Sequence, residues 1–199
     1  MLNDNFFMPS DQVVHPPHIL VGVSGSVASI KAAELVSSLS CLGEVRLILT
    51  DAAKHFVDAN ELSTTQIYYN ENEWETYQKR GDPVLHIELR RWADIFLIAP
   101  LSANSLAKLS YGISDNLLTC TARAWQTGIK PLVIAPAMNT AMWDHPVTTE
   151  HISRLTQWGV HVVPPVEKTL ICGDAGMGAM ANIDTLVDVI SKLVAQIFE

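Results

Sequence analysis

Cysteine is scarce in this sequence of 199 residues: Cys41, Cys120 and Cys172 are the only three, and they lie far apart. An odd, dispersed set does not build a disulfide framework, and the lack of paired CxxC spacing excludes a structural zinc site. That pattern implies a reducing compartment. Basic residues are also few, 13 Lys and Arg against 21 Asp and Glu, for a net charge of −8. No basic run or lysine stripe offsets this balance, which excludes a nucleic-acid partner held by phosphate neutralisation. Any bound phosphate must then rest mainly on backbone N–H groups. No stretch approaches the ~20 apolar residues of a membrane span, and the opening MLNDNFFMPSDQ lacks the basic and apolar regions of a signal peptide. The expectation is a soluble, cytoplasmic protein with no membrane partner.

What is present is apolar material, 48% of the chain, enough for one full core and one domain. Residues 1–17 mix Asn, Asp, Gln and proline without periodicity and read as a flexible N-terminal segment, with the folded domain spanning 18–199. From His18 onward, short β-branched runs alternate with helical patterns: 18–23, 44–50, 94–100, 130–136 and 160–164 as strands, with 26–40, 115–125 and 145–159 among the crossover helices. The runs are continuous rather than alternating, as in strands covered on both faces. The fold class that follows is α/β: a doubly wound, Rossmann-like or flavodoxin-like parallel sheet with helices on both faces. Ligands gather at the carboxyl ends of such strands, so the residues just after each strand carry the functional argument.

After the first strand, SGSVAS at 24–29 sets small residues at a helix start, where free N–H groups and the positive dipole end suit a phosphate. Only Gly22 and Gly25 of a dinucleotide fingerprint are present, so a mononucleotide fits better. Taken alone the loop is more often an ordinary helix capped by Ser24 or Ser26. The second strand ends at Thr50 and leads to Phe56, which either stacks on a flat ring or packs in the core. A second polar helix start follows the third strand in APLSANSLAK at 99–108, where Ser102, Asn104 and Ser105 offer hydroxyl and amide groups. His86 lies in VLHIE beside Arg90 and Arg91; such a histidine can hold a carboxylate or take a proton, or it is simply a bonded structural residue. In PAMNTAMW at 136–143, Asn139 stands at a strand mouth with both donors and an acceptor, while Met138, Met142 and Trp143 have the spacing of core residues. Finally LICGDAGMGAMAN at 170–182 has the composition of a mobile flap, with Cys172 placed to meet a ligand.

Taken together, GSVAS at 25–29, DPVLHIELRRWAD at 82–94, APLSANSLAK, DNLLT at 115–119, PAMNTAMW and CGDAGMGAMA at 172–181 resemble the homo-oligomeric flavin-containing cysteine decarboxylases. Among these they are most similar to the enzymes that act on 4′-phosphopantothenoylcysteine in coenzyme A synthesis. The resemblance implies FMN as cofactor, held at Gly25, Ser26, Val27, Thr50, Phe56, Ser102, Ala103, Asn104, Ser105 and Ala137. It implies a catalytic histidine at His86, in a site shared between neighbouring subunits of a homotrimer. It also implies substrate binding by Asn139 and Met142, and a proton-donating cysteine at Cys172. In that family the thiol carbon is first oxidised to a thioaldehyde, which accepts the electron pair as CO₂ leaves; the resulting enethiol is then protonated and reduced to 4′-phosphopantetheine. Ser105 stands where the family more often has threonine, Asn182 where glutamate is common and Thr169 where a basic residue is frequent. Two alternatives share the pattern: a peptidyl-cysteine decarboxylase, and a non-catalytic regulatory subunit of a protein phosphatase. The second is disfavoured by the absence of long acidic extensions.

Overall fold

The structure, a computed structural model, describes residues 15–169 and 175–198. In chain order the elements are β1 (His18–Val23), α1 (Ala32–Leu39), β2 (Glu44–Leu49), β3 (Gln66–Tyr68), α2 (Asn70–Thr76), α3 (Leu85–Trp92) and β4 (Ile95–Leu101). They continue with α4 (Ala103–Tyr111), α5 (Leu117–Arg123), β5 (Leu132–Pro136), α6 (Thr140–Trp143), α7 (Pro146–Gln157), β6 (His161–Val162), β7 (Val166–Thr169), β8 (Ala175–Ala179) and α8 (Ile183–Phe198). Six strands form one parallel sheet in the order β3-β2-β1-β4-β5-β6, and β7 and β8 form a separate antiparallel hairpin.

The period of two along each strand divides the core between the two faces of the sheet. Ile19, Val21 and Val23 of β1, with Ile95, Leu97 and Ala99 of β4, pack against Leu35 and Leu39 of α1 and Leu186 and Ile190 of α8. Leu20, Phe96 and Ile98 pack on the opposite face against Leu89 of α3, Leu106 of α4, Leu118 of α5 and Leu155 of α7. Every residue of β4 is buried, as its unbroken apolar sequence IFLIAPL requires. Each such side chain contributes roughly 1.5–3 kcal/mol relative to exposure. Strand order reverses between β1 and β4, so their carboxyl ends diverge and leave a crevice for a ligand.

The parallel doubly wound sheet follows the sequence expectation, with differences at its margins. The runs expected at 130–136 and 160–164 shorten to Leu132–Pro136 and His161–Val162. The segment expected as a helix over 26–40 opens as a 3-10 turn, Val27–Lys31, before α1. Strand β3 and the β7–β8 hairpin add to the expected elements. Of the expected N-terminal segment only residues 15–17 are described, and they lie against the fold. The Pro17 carbonyl accepts from Glu44 N–H at 2.8 Å, and the His15 ring stacks on His18 with centroids 4.3 Å apart. Among the described residues, no helix is long and apolar enough to cross a membrane.

Lys130, just ahead of β5, fixes the far end of α3. Its ammonium donates to the carbonyls of Arg90, Arg91 and Ala93 at 3.4, 3.3 and 2.6 Å, at the negative end of the helix. Burial pulls the lysine pKa down, while Asp94 pushes it back up. Lys130→Met keeps the aliphatic stem but strands those carbonyls. It is expected to cost about 1–3 kcal/mol, read as a lower urea midpoint with an unchanged slope.

Candidate active site

Two helix starts meet at the crevice between β1 and β4. Ser26 caps the first, its hydroxyl accepting from Ala28 N–H at 3.4 Å, and Ser102 caps α4 by accepting from Ser105 N–H at 3.3 Å. Both place unpaired first-turn N–H groups at the same edge of the sheet. Ser24 binds the two loops together from beneath: its buried hydroxyl donates to the Pro100 carbonyl at 2.9 Å and accepts from Ser102 N–H at 2.7 Å.

Above this knot lies a cleft of about 970 Å³, at the upper end of the range for ligand sites. All ten positions expected to hold the cofactor line it: Gly25, Ser26, Val27, Thr50, Phe56, Ser102, Ala103, Asn104, Ser105 and Ala137. Asn139 and Met142 line it as well. Phe56 is therefore not packed in the core: it follows the short 3-10 turn Ala53–His55 and is 37% exposed. Met142 is likewise 49% exposed, and of the two methionines at that loop only Met138 enters the core. Asn139 caps α6, its side-chain oxygen accepting from Ala141 N–H at 2.8 Å.

The cleft suits a flavin mononucleotide. Two helix starts provide anion-binding N–H groups, and Val27, Phe56 and Ala137 supply apolar surface for a flat ring. At Gly25 an added Cβ would lie 2.4 Å from the Cβ of Ala52, so the loops approach as closely as they do only because the side chain is absent. Sequence reasoning passed over several lining residues, including Lys31, Asp51, Asn70, Lys108 and Asp115. Asn70 joins the start of α2 to that of α5 by accepting from Leu117 N–H at 3.1 Å, and Lys108 pairs with Asp115 at 2.7 Å. The DNLLT segment was a sequence signal for this wall, but it carried no assigned role.

His86 stands apart from the lining of its own chain's cleft. It occupies the first turn of α3, with its Nδ1 2.7 Å from Oε1 of Glu73 and its backbone N–H donating to Glu73 Oε2 at 3.1 Å. Cys172 lies outside the described residues, its number falling between those of the two arms, β7 and β8. Those arms form one wall of the cleft through Lys168, Gly178 and Ala179. Met138 N–H donates to the Gly178 carbonyl at 2.9 Å, and a Cβ at Gly178 would sit 2.2 Å from the Met138 carbonyl oxygen. Lys168 donates to Asn182 at 3.0 Å, so the residue that departs from the family pattern still ties down the base of the hairpin. Neither described cysteine lines the cleft. Burial, and then the Glu73 and Asp115 carboxylates, push the Cys120 thiol up, which keeps it protonated and unreactive.

A switch-point cleft with two helix starts, apolar walls and side-chain-free loop packing defines a mononucleotide-binding protein of the doubly wound class. The profile of the flavoprotein family matches residues 9–195, and the chain belongs to that family. It is 49% identical over 180 residues to the phosphopantothenoylcysteine decarboxylase of Mus musculus, covering 89% of this chain and 87% of that one. A PPC decarboxylase cysteine-to-serine mutant, solved in complex with pantothenoylaminoethenethiol, superimposes with a TM-score of 0.88 at 46% identity, over 92% of this chain and all of that one. The FMN binding protein AtHal3 superimposes with a TM-score of 0.86 at 46% identity, over 92% and 98% of the two chains.

Proposed function

We propose that this chain binds FMN and decarboxylates 4′-phosphopantothenoylcysteine to 4′-phosphopantetheine, a step of coenzyme A synthesis, in the cytoplasm. The observation that carries the reading is the convergence on one cleft of twelve positions from separate segments, ten for the flavin and two for the substrate. Identity near one half to a decarboxylase over most of both chains supports the substrate.

FMN, when bound, supplies reversible two-electron chemistry at the substrate's thiol carbon, so no external oxidant is consumed. The protein's residues do the rest. Backbone N–H groups at Ser26–Val27 and Ala103–Asn104, with the Ser102 and Ser105 hydroxyls, would hold the cofactor's phosphate, and Val27, Phe56 and Ala137 would offer apolar surface to its ring. Asn139 fixes the substrate carboxylate or the adjoining amide, and Met142 packs beside it. His86 orients the carboxylate and acts as base. Because it lies outside its own chain's cleft, it serves a neighbouring chain, in a homotrimer with sites at the subunit boundaries. Cys172 delivers the proton to the enethiol carbon left when CO₂ departs, and the hairpin walls exclude water from that intermediate.

The test is anaerobic mixing of the protein with 4′-phosphopantothenoylcysteine, following flavin absorbance and product mass. The native chain is expected to yield a product lighter by CO₂. Cys172→Ser is expected to stall at a species two hydrogens lighter still, the class of molecule held by the cysteine-to-serine relative. Absence of any mass change with the native, flavin-loaded protein would overturn the proposal. Turnover of a C-terminal cysteine peptide in its place would move the assignment to the peptidyl-cysteine decarboxylases.

A further inference from the structure

We infer that Glu73 is the positioning residue for His86, setting which ring nitrogen carries the proton and which way the ring faces; the inference rests on His86 being the base supplied to a neighbouring cleft. His86 is the second residue of α3, where backbone N–H groups have no partner within the helix. Val84, the residue that precedes the helix, makes no side-chain cap. Glu73, from α2, supplies what is missing with one carboxylate. Oε2 accepts the His86 backbone N–H at 3.1 Å and Oε1 meets Nδ1 at 2.7 Å. Gripping backbone and ring of the same residue fixes the ring's orientation, since rotation would break the shorter contact.

The chemistry of the partner decides the tautomer. An ionised carboxylate only accepts, so the proton of the neutral ring sits on Nδ1 and the lone pair on Nε2. Nε2 is thereby the atom left to take a proton from substrate. Side-chain exposure is 12% for Glu73 and 25% for His86, so the pair is partly shielded from competing water while the imidazole keeps an open edge. Glutamine cannot replace this arrangement. It offers one acceptor and one NH₂ donor, and so sets a donor against one of the two N–H groups that Glu73 satisfies.

The rival explanation is that Glu73 merely caps α3, which would affect stability alone. The experiment therefore uses the full-length, flavin-loaded protein with ¹⁵N-labelled histidine, and compares Glu73→Gln, Glu73→Leu and His86→Asn. For Glu73→Leu we expect flavin content unchanged, KM within about twofold, and kcat lower by about 10- to 100-fold, a part of what a general base contributes. The His86 nitrogen shifts should move from a single Nδ1–H tautomer to a mixture. Glu73→Gln should lose at least as much kcat as Glu73→Leu, because its NH₂ opposes one of the two N–H groups. On a His86→Asn background, Glu73→Leu should cause no further loss of kcat. If His86→Asn is inactive while Glu73→Leu keeps native kcat and a single tautomer, the carboxylate is only a helix cap and the inference fails. If His86→Asn turns over at the native rate, the role given to His86 fails first, and the inference falls with it.

Discussion

His86→Asn chains and Asn139→Asp chains, each inactive alone, should regain activity when co-expressed as one oligomer. Asn139 lines the cleft of its own chain, whereas His86 does not. Asn139→Asp keeps the oxygen that accepts from Ala141 N–H and so preserves the start of α6, but it sets a negative charge against the substrate carboxylate. Each variant alone should lose on the order of 100-fold or more in kcat/KM. In the proposed cyclic trimer, a cleft would be intact where a His86→Asn chain provides Asn139 and its neighbour provides His86. Random assortment of equal amounts gives about a quarter of native activity. Mixtures that remain as inactive as their components would place His86 and Asn139 in the site of a single chain, whereas activity of the His86→Asn chains alone would remove the histidine from the reaction.

Gly25→Val should purify without flavin while keeping its fold. Gly25 lies at the first helix start, and its replacement is penalised by packing. An added Cβ would stand 2.4 Å from the Cβ of Ala52 and 3.4 Å from the Ala52 backbone. Valine's branches add to the clash, so the loops after β1 and β2 must separate, and the wall that carries Val27 moves with them. Flavin affinity should fall on the order of 100-fold, about 3 kcal/mol. Far-ultraviolet circular dichroism should be native, because the displaced loops carry little of the core. Flavin titration of the unloaded variant is the measurement, and native affinity would mean that the ring lies elsewhere.

Legibility in the sequence follows burial. β1, β4 and β5 are readable because both faces of each are covered, which makes their sequences almost continuously apolar, and β2 through its buried end Leu47–Leu49. β3 is not: it is a three-residue edge strand that begins with exposed Gln66. The hairpin shows in the sequence only as a glycine-rich flap, because AGMGA has almost no side chains from which a period of two can be seen. The helix starts were legible through their small and hydroxyl residues, yet each alone had an ordinary capping explanation. Only the fold brings them to one edge. Glu73 could not be picked out at all, since it is one acid in NENEWET and its contact with His86 arises from the packing of α2 on α3.

The Ser24 hydroxyl reaches Pro100 and Ser102 across more than 70 positions of chain. A growing polypeptide therefore has no place for its cofactor until β4 has been made and has settled beside β1. Such a non-local pairing is slow to form. Flavin cannot act as a nucleus for local structure; it selects chains that have already completed the central sheet. At a free concentration one hundred times the dissociation constant, that selection favours the finished fold by about 2.7 kcal/mol. The flavin-loaded protein should thus resist unfolding better than the empty one, before any substrate is present.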